Sequence, residues 1–190
     1  MSPAPIRFPD PPLREGGIAV RGLLASDAEA FSASARDPSI AHDAFHDRID
    51  MADLDAVRGF ITRGQERMLE RSQVLLAVLD EDDLLVGQTM LFAFDHDNLS
   101  AELGFWVSPR ARGRGVAATE IKLTALWGFN KLGLERISGL TATENVGAQR
   151  AMERAGFTRE GVHRGLEKGG PTGRWDLVSY GFLAGDVGGA

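Results

Sequence analysis

The sequence predicts one mixed α/β domain of seven strands and four helices, and three observations carry that prediction. The chain of 190 residues is 43% apolar and 25% charged, ordinary globular proportions that exclude collagen-like, low-complexity and disordered classes. The spacing of apolar residues switches repeatedly between periods of 2 and 3.6. No repeat or linker-like stretch divides the chain, and a domain of this length buries roughly 70% of its unfolded surface.

Each element has its own signal. Pro3, Pro5, Pro9, Pro11 and Pro12 make the first dozen residues an extended tail, so residues 1–15 are expected to lie outside the domain, 16–184 to form it, and 185–190 to be a second short tail. Ile18–Leu23 reads as the first strand. Ser26 and Glu29 have capping-box spacing ahead of Ala28, Phe31 and Ala35, a helix stopped near Pro38. A polar loop with His42, Asp43, His46 and Asp47 follows, then a helix over Asp53–Glu70 with Leu54, Val57, Ile61 and Met68 on one stripe. Val74–Leu79 and Leu84–Phe94 make a hairpin across the acidic turn Asp80–Asp83, and Ala101–Val107 is the next strand. After a glycine-rich turn, Ala118, Ile121, Ala125, Phe129 and Leu132 define a long helix with one buried face. Ile137–Ala142 is a strand. Asn145 caps a short helix that ends at Gly156, and Phe157–Leu166 and Trp175–Leu183 close the domain around the Gly169-Gly170-Pro171 turn.

Composition narrows the function. The chain has no cysteine, which removes disulfides, cysteine–zinc sites and thiol catalysis and fits a reducing cytoplasm. Its longest apolar run, Val74–Leu79, is too short to span a membrane, and the proline-rich start lacks the apolar stretch of a secretion signal. A net charge of −6 argues against a general nucleic-acid binder. The charge is uneven: residues 1–109 carry 9 Lys/Arg against 19 Asp/Glu, whereas residues 110–175 carry 12 against 6. That split is either surface scatter or one face for an anionic ligand and another for a cationic one. His42, Asp43, His46 and Asp47 have i,i+4 spacing, but in a short exposed loop they make a poor metal site, and no metal is expected.

The chemistry concentrates at Arg110-Ala-Arg112-Gly113-Arg114-Gly115, between a strand and a helix. Such a turn gathers backbone N–H groups and a positive helix end around one point, a phosphate site, and the interleaved arginines add charge. Gly113-x-Gly115-x-x-Ala118 also fits a dinucleotide fingerprint. That reading needs an acidic residue at the end of the next strand, and Glu135 precedes its strand. A Walker A loop would need Gly-Lys-Ser/Thr, which is absent.

Arg110-x-x-Gly113-x-Gly115 resembles the acyl-CoA pyrophosphate loop of the GNAT N-acetyltransferase superfamily. Glu102-Leu-Gly-Phe-Trp106-Val before it and Gly115-Val-Ala-Ala-Thr-Glu120 after it match as well. Asn145 to Gly156-Phe157 resembles the family's asparagine-to-Gly-Phe helix, and Gly173-Arg-Trp175-Asp176 to Tyr180 resembles the last strand of the RimJ/RimL-type branch. The resemblance covers about residues 17–184. It implies a mostly antiparallel sheet of seven strands whose fourth and fifth strands splay to admit the pantetheine arm. It also implies acetyl-CoA as cosubstrate, with Phe105, Trp106 and Val107 pairing through their backbones to pantetheine. Arg110, Arg112, Gly113, Arg114, Gly115, Val116 and Ala117 would surround the pyrophosphate, and Asn145 would contact the pantetheine amides in addition to capping its helix.

Acetyl transfer to an amine needs a neutral nucleophile and a polarised thioester carbonyl. Strand alternation puts Glu102, Gly104 and Trp106 on one face, which makes Glu102 the candidate base; a salt bridge to an arginine is its other reading. A strand N–H near Trp106 or Val107 would polarise the carbonyl. Two departures stand out against the family pattern: Met152 where many relatives have a tyrosine, and Ala148 where the branch often has serine. Tyr180 is expected to be structural, His163 is a weaker base candidate, and Glu120 reads most simply as a partner of its helix dipole. The acceptor is expected to be a primary amine, on a small molecule or a protein N-terminus, near the acidic loop of Asp43, Asp47, Asp50, Asp53 and Asp55. A GNAT-fold module that binds acyl-CoA without efficient catalysis is the alternative. The branch often forms homodimers.

Overall fold

The strands are β1 (Leu13–Glu15), β2 (Ile18–Gly22), β3 (Gln73–Leu79), β4 (Leu85–Asp95), β5 (Ser100–Val107), β6 (Arg136–Ala142), β7 (Thr158–Lys168) and β8 (Arg174–Leu183). They form one sheet in the order β1-β2-β3-β4-β5-β6-β8-β7 in this computed structural model, which describes residues 5–38, 40, 49–169 and 173–188. The described helices are α1 (Ala28–Ala35), α2 (Leu54–Leu69), α3 (Val116–Trp127) and α4 (Val146–Arg154). All seven expected strands form, each within two residues of its expected limits. The eighth corrects the expected tail. Leu13–Glu15 pairs antiparallel with Ile18–Val20, and Ile6 is buried in the core, because short apolar stretches between the prolines find the open edge of β2.

Apolar alternation along the strands feeds two cores. Val74, Leu76, Val78, Leu91, Leu103 and Val107 face α3 and α4, packing on Val116, Ile121, Ala125 and Met152. Ala19, Leu75, Ala77, Leu85 and Trp106 face α1 and α2, packing on Phe31, Val57 and Ile61. On that second side the helices cover β2 to β4, while Leu140 on β6 and Leu183 on β8 stay 39% and 45% exposed.

Local signals explain the helix ends, with one correction. Asp53 caps α2 by accepting from the Asp55 and Ala56 N–H groups (2.9 and 3.1 Å), and Asn145 caps α4 by accepting from Ala148 N–H (3.0 Å). The start of α1 does not use the Ser26/Glu29 capping box. Asp27 takes the role, accepting from Leu24 N–H (2.9 Å) and from the Arg21 guanidinium through both oxygens (2.7 and 2.8 Å). Burial pushes the Asp27 carboxyl up, but those hydrogen bonds prevail and hold it below the usual range. The helix α3 ends in a π turn over Gly128–Leu132, closed by Gly133 at φ 71°.

Candidate active site

Every neighbouring pair of strands runs antiparallel except β5 and β6, which α3 joins as a parallel crossover. That pair is short: Ser100–Glu102 opposes Arg136–Ser138, and beyond these residues the two strands diverge. An inner strand edge is thereby opened in the middle of the sheet. The gap is the mouth of a cavity of about 940 Å³, which runs from the glycine turn through the sheet to the face left open beside α1 and α2.

The register shows which backbone groups border it. Ser108 N–H donates to the Val86 carbonyl (2.8 Å), so alternation along β4–β5 turns the backbone groups of Trp106, Gly104 and Glu102 toward β4. Those of Leu103, Phe105 and Val107 face the diverging β6. The Val107 carbonyl accepts from Arg112 Nε (3.1 Å), which leaves the Val107 N–H and both Phe105 groups along the cavity. The expected backbone role of Trp106 is therefore corrected by strand parity. Its side chain borders the cavity instead, donating from Nε1 to Gln88 Oε1 (2.9 Å) and meeting Phe31 edge-on at 5.5 Å.

Glu102 lines the cavity on the same side as Trp106. It is half-buried, and among the described residues no arginine or other cation pairs with its carboxylate. The glycine turn closes the opposite wall. Gly113 and Gly115 have φ of 76° and 82°, and a Cβ at either would meet nothing within 4 Å. Gly115 is the N-cap residue of α3, so the helix opens directly onto the cavity with Gly115, Val116 and Ala117 in its lining. Asn145 lines it from the start of α4 while its Oδ1 serves as cap.

The loop arginines divide. Arg112 reaches the cavity, but Arg110 donates to the Leu85 carbonyl (2.8 Å) and Arg114 meets Glu81 (3.5 Å), and neither side chain lines it. The two brace the turn against β4 and the β3–β4 hairpin. Sequence reasoning missed Gln88, Phe92, Glu167 and Trp175, all in the lining. Trp175 stands in a recognised motif, yet its place became visible only once its pairing with Glu167 carried both to the cavity.

Other candidates lie elsewhere. The Tyr180 hydroxyl is bound to Glu153 (3.2 Å) and its pKa is raised by burial and by that carboxylate, a structural role as expected. Met152 is fully buried against Gly139 and contributes nothing to the cavity. His163 is exposed on β7 and lies outside the lining. The loop of His42, Asp43, His46 and Asp47 lies outside the described residues, and Asp50, Asp53 and Asp55 serve caps or pair with Arg58. Among the described residues no group of three or more metal-ligating side chains gathers, and no helix is long and apolar enough to cross a membrane. Glu120 corrects the dipole reading: it is fully buried, neither carboxyl oxygen has a hydrogen-bond partner among the described residues, and desolvation pushes its pKa well above the ordinary value.

A strand edge opened inside a sheet and ending on a glycine turn is the architecture that the sequence resemblance implied. The profile described as "Acetyltransferase (GNAT) domain" matches residues 18–158. The chain belongs to the GNAT acetyltransferase family. Among curated relatives, "Probable N-acetyltransferase YjcK" of Bacillus subtilis (strain 168) is 29% identical over 58% of this chain and 62% of its own length. "Putative ribosomal N-acetyltransferase YdaF" of the same organism is 32% identical over 54% and 55%. The chain thus spans somewhat more than half the length of these relatives. A solved structure of Mycobacterium smegmatis RimJ in complex with CoA-disulfide superposes with a TM-score of 0.79 at 20% identity, covering 97% of this chain and 88% of that one. The likeness to the RimJ/RimL-type branch of the family therefore extends from motifs to fold.

Proposed function

We propose that this GNAT domain is an acetyl-CoA-dependent N-acetyltransferase acting on a primary amine. The observation that carries the proposal is the inner edge of β5, where the Val107 N–H and the backbone of Phe105 lie unpaired along a cavity that ends at the α3 N-terminus. An extended amide-bearing arm satisfies such an edge as an added strand would, and a pyrophosphate suits the glycine turn beside it. Phe105, Val107 and Asn145 would hold pantetheine, and Arg112, Gly113, Gly115, Val116 and Ala117 the pyrophosphate. Arg110 and Arg114 would act by bracing the turn rather than by contact.

Bound acetyl-CoA supplies the acetyl group as an activated thioester. The Val107 N–H is the donor placed to polarise its carbonyl oxygen, since the Trp106 N–H is turned toward β4. Glu102, unpaired on the open face, accepts a proton from the incoming ammonium and so generates the neutral amine. Phe92, Trp106 and Trp175 enclose the acceptor's apolar part, and Glu167 adds a second carboxylate that favours a cationic acceptor. Both a small-molecule amine and a protein N-terminus fit this chemistry. The names of YdaF and RimJ's branch favour the second, while the open face between β6 and β8 leaves room for either.

Acetyl-CoA turnover, read as free thiol release across small amines and N-terminal peptides, tests the proposal. The chain has no cysteine, so its own background is low. Release dependent on one amine class establishes the enzyme; acetyl-CoA binding without release under any acceptor would favour a binding module instead.

A further inference from the structure

The cavity is also lined by a buried amide to which the transfer reaction assigns no part. Gln88 on β4 is 3% exposed and lines the cavity. Its Oε1 accepts from Trp106 Nε1 (2.9 Å), and an indole N–H only donates, so this bond fixes which end of the amide faces Trp106. Nε2 is left with no acceptor among the described residues. It stays accessible, whereas the unpartnered oxygens of Thr89 and Glu120 are sealed in protein. A buried donor held in one orientation and left unpaired is costly unless something that enters the cavity accepts from it.

The strand register sets this donor against Glu102. Gln88 pairs with Trp106, Met90 with Gly104 and Phe92 with Glu102, all on the face toward α1 and α2. Trp106 stands four residues beyond Glu102, about 13 Å of extended backbone. Met90 and Phe92 fill the space at Gly104, where a Cβ would lie 2.8 Å from the Met90 methyl and 3.4 Å from the Phe92 ring. The stretch between is therefore apolar, with a carboxylate at one end and an amide donor at the other. A hydrogen bond at either end takes up about 3 Å. About 7 Å then remains between a bound amine nitrogen and a bound oxygen, two residues of extended chain.

We propose that Gln88 is a specificity-determining residue, whose Nε2 donates to a carbonyl oxygen of the acceptor one amide beyond the amine that Glu102 receives. The inference rests on the transferase reading and deepens it. A bare alkylamine offers this donor nothing, and a single amino acid holds its carbonyl too close to its amine to reach both ends.

Glycyl-alaninamide and its analogue with an isopropyl group in place of the terminal carboxamide test this. They share amine, first carbonyl and size, and differ in the carbonyl assigned to Gln88. The native chain should favour the dipeptide amide in kcat/KM, read by thiol release from acetyl-CoA, by about tenfold. Gln88→Met keeps the length of the side chain, removes its donor and should favour neither. Gln88→Glu keeps an oxygen for Trp106 Nε1 and, in the alkaline range where the carboxyl is ionised, presents an acceptor where the donor stood; it too should lose the preference. A variant that is folded by its Tm and keeps the native preference shows that Gln88 only holds Trp106, and overturns the assignment. A native chain without the preference, or one that acetylates other amines but neither of these two, overturns it as well. No release with any amine overturns the transferase reading itself.

Discussion

Glu102 and Gly113 line the same cavity, and each is separable by substitution. Glu102→Gln keeps the shape of the side chain and removes its basicity. Turnover should fall by about a hundredfold with coenzyme A affinity unchanged. Normal turnover across pH would remove Glu102 as the base. A Gly113→Glu substitution puts a carboxylate where the pyrophosphate is expected. A Cβ at this position meets nothing within 4 Å, so the backbone cost is that of φ 76° in a non-glycine residue, on the order of 1–2 kcal/mol. Coenzyme A affinity should nevertheless fall by about a hundredfold or more, as measured by calorimetry. Both residues were identifiable from sequence, Gly113 from its local pattern and Glu102 from a charge in an otherwise apolar strand. Gln88 was not, because its role depends on a hydrogen bond to Trp106 from 18 positions away.

The splay between β5 and β6 is an arrangement of elements rather than of single side chains, and tightly packed glycines stand on either side of it. Gly139 gives β6 room to receive Met152 of α4, since a Cβ there would lie 2.5 Å from the Met152 methyl. Gly87 sits across from Val107 on β4, where a Cβ would lie 2.6 Å from the Trp106 carbonyl oxygen and 3.2 Å from Glu120. Backbone cannot yield as a flexible side chain can. Gly87→Ala should cost about 1–3 kcal/mol, seen as a lowered Tm, and should reduce turnover because β5 carries the Val107 N–H. Gly185→Ala, which meets nothing within 4 Å, is the control and should change neither. If Gly87→Ala lowered Tm but left turnover intact, the position of Val107 would not matter to transfer. The Met152 departure from the family pattern also belongs at this scale. That position is core in this chain, so a general acid was not simply exchanged for methionine at the cavity wall.

At the scale of the molecule, Glu120 is the anomaly: a carboxyl buried between α3 and β4, with Thr124 one turn on and Thr89 on β4 also buried without side-chain partners among the described residues. Desolvation favours its neutral form, so its pKa is raised in the folded state relative to the unfolded chain. A raised value contributes stability that is complete below the unfolded pKa and is lost as pH rises through the folded one. Glu120→Gln has no proton to lose. Its Tm should therefore gain on that of the native chain as pH rises from about 5 to about 8, where 1 kcal/mol corresponds to about 2–4 °C for a chain of this size. Parallel Tm series for the two proteins would show that burial does not perturb this carboxyl. The uneven charge resolves at this scale as well. Part of the acidic half caps helices, and part of the basic half braces the glycine turn.

The sequence by itself determined the element order, the glycine turn at the head of α3, the asparagine cap of α4 and the family they point to. Those features are written in local spacing, in apolar periods and in residues whose backbone preferences act within one turn. Tertiary structure alone decided that Leu13–Glu15 joins the sheet, that Phe105 and Val107 rather than Trp106 present their backbones to the cavity, and which of the loop arginines brace the turn and which reaches the cavity. Each of these depends on strand register or on a partner many residues away. A one-residue change of parity turns every backbone group to the other side, and no local pattern encodes it.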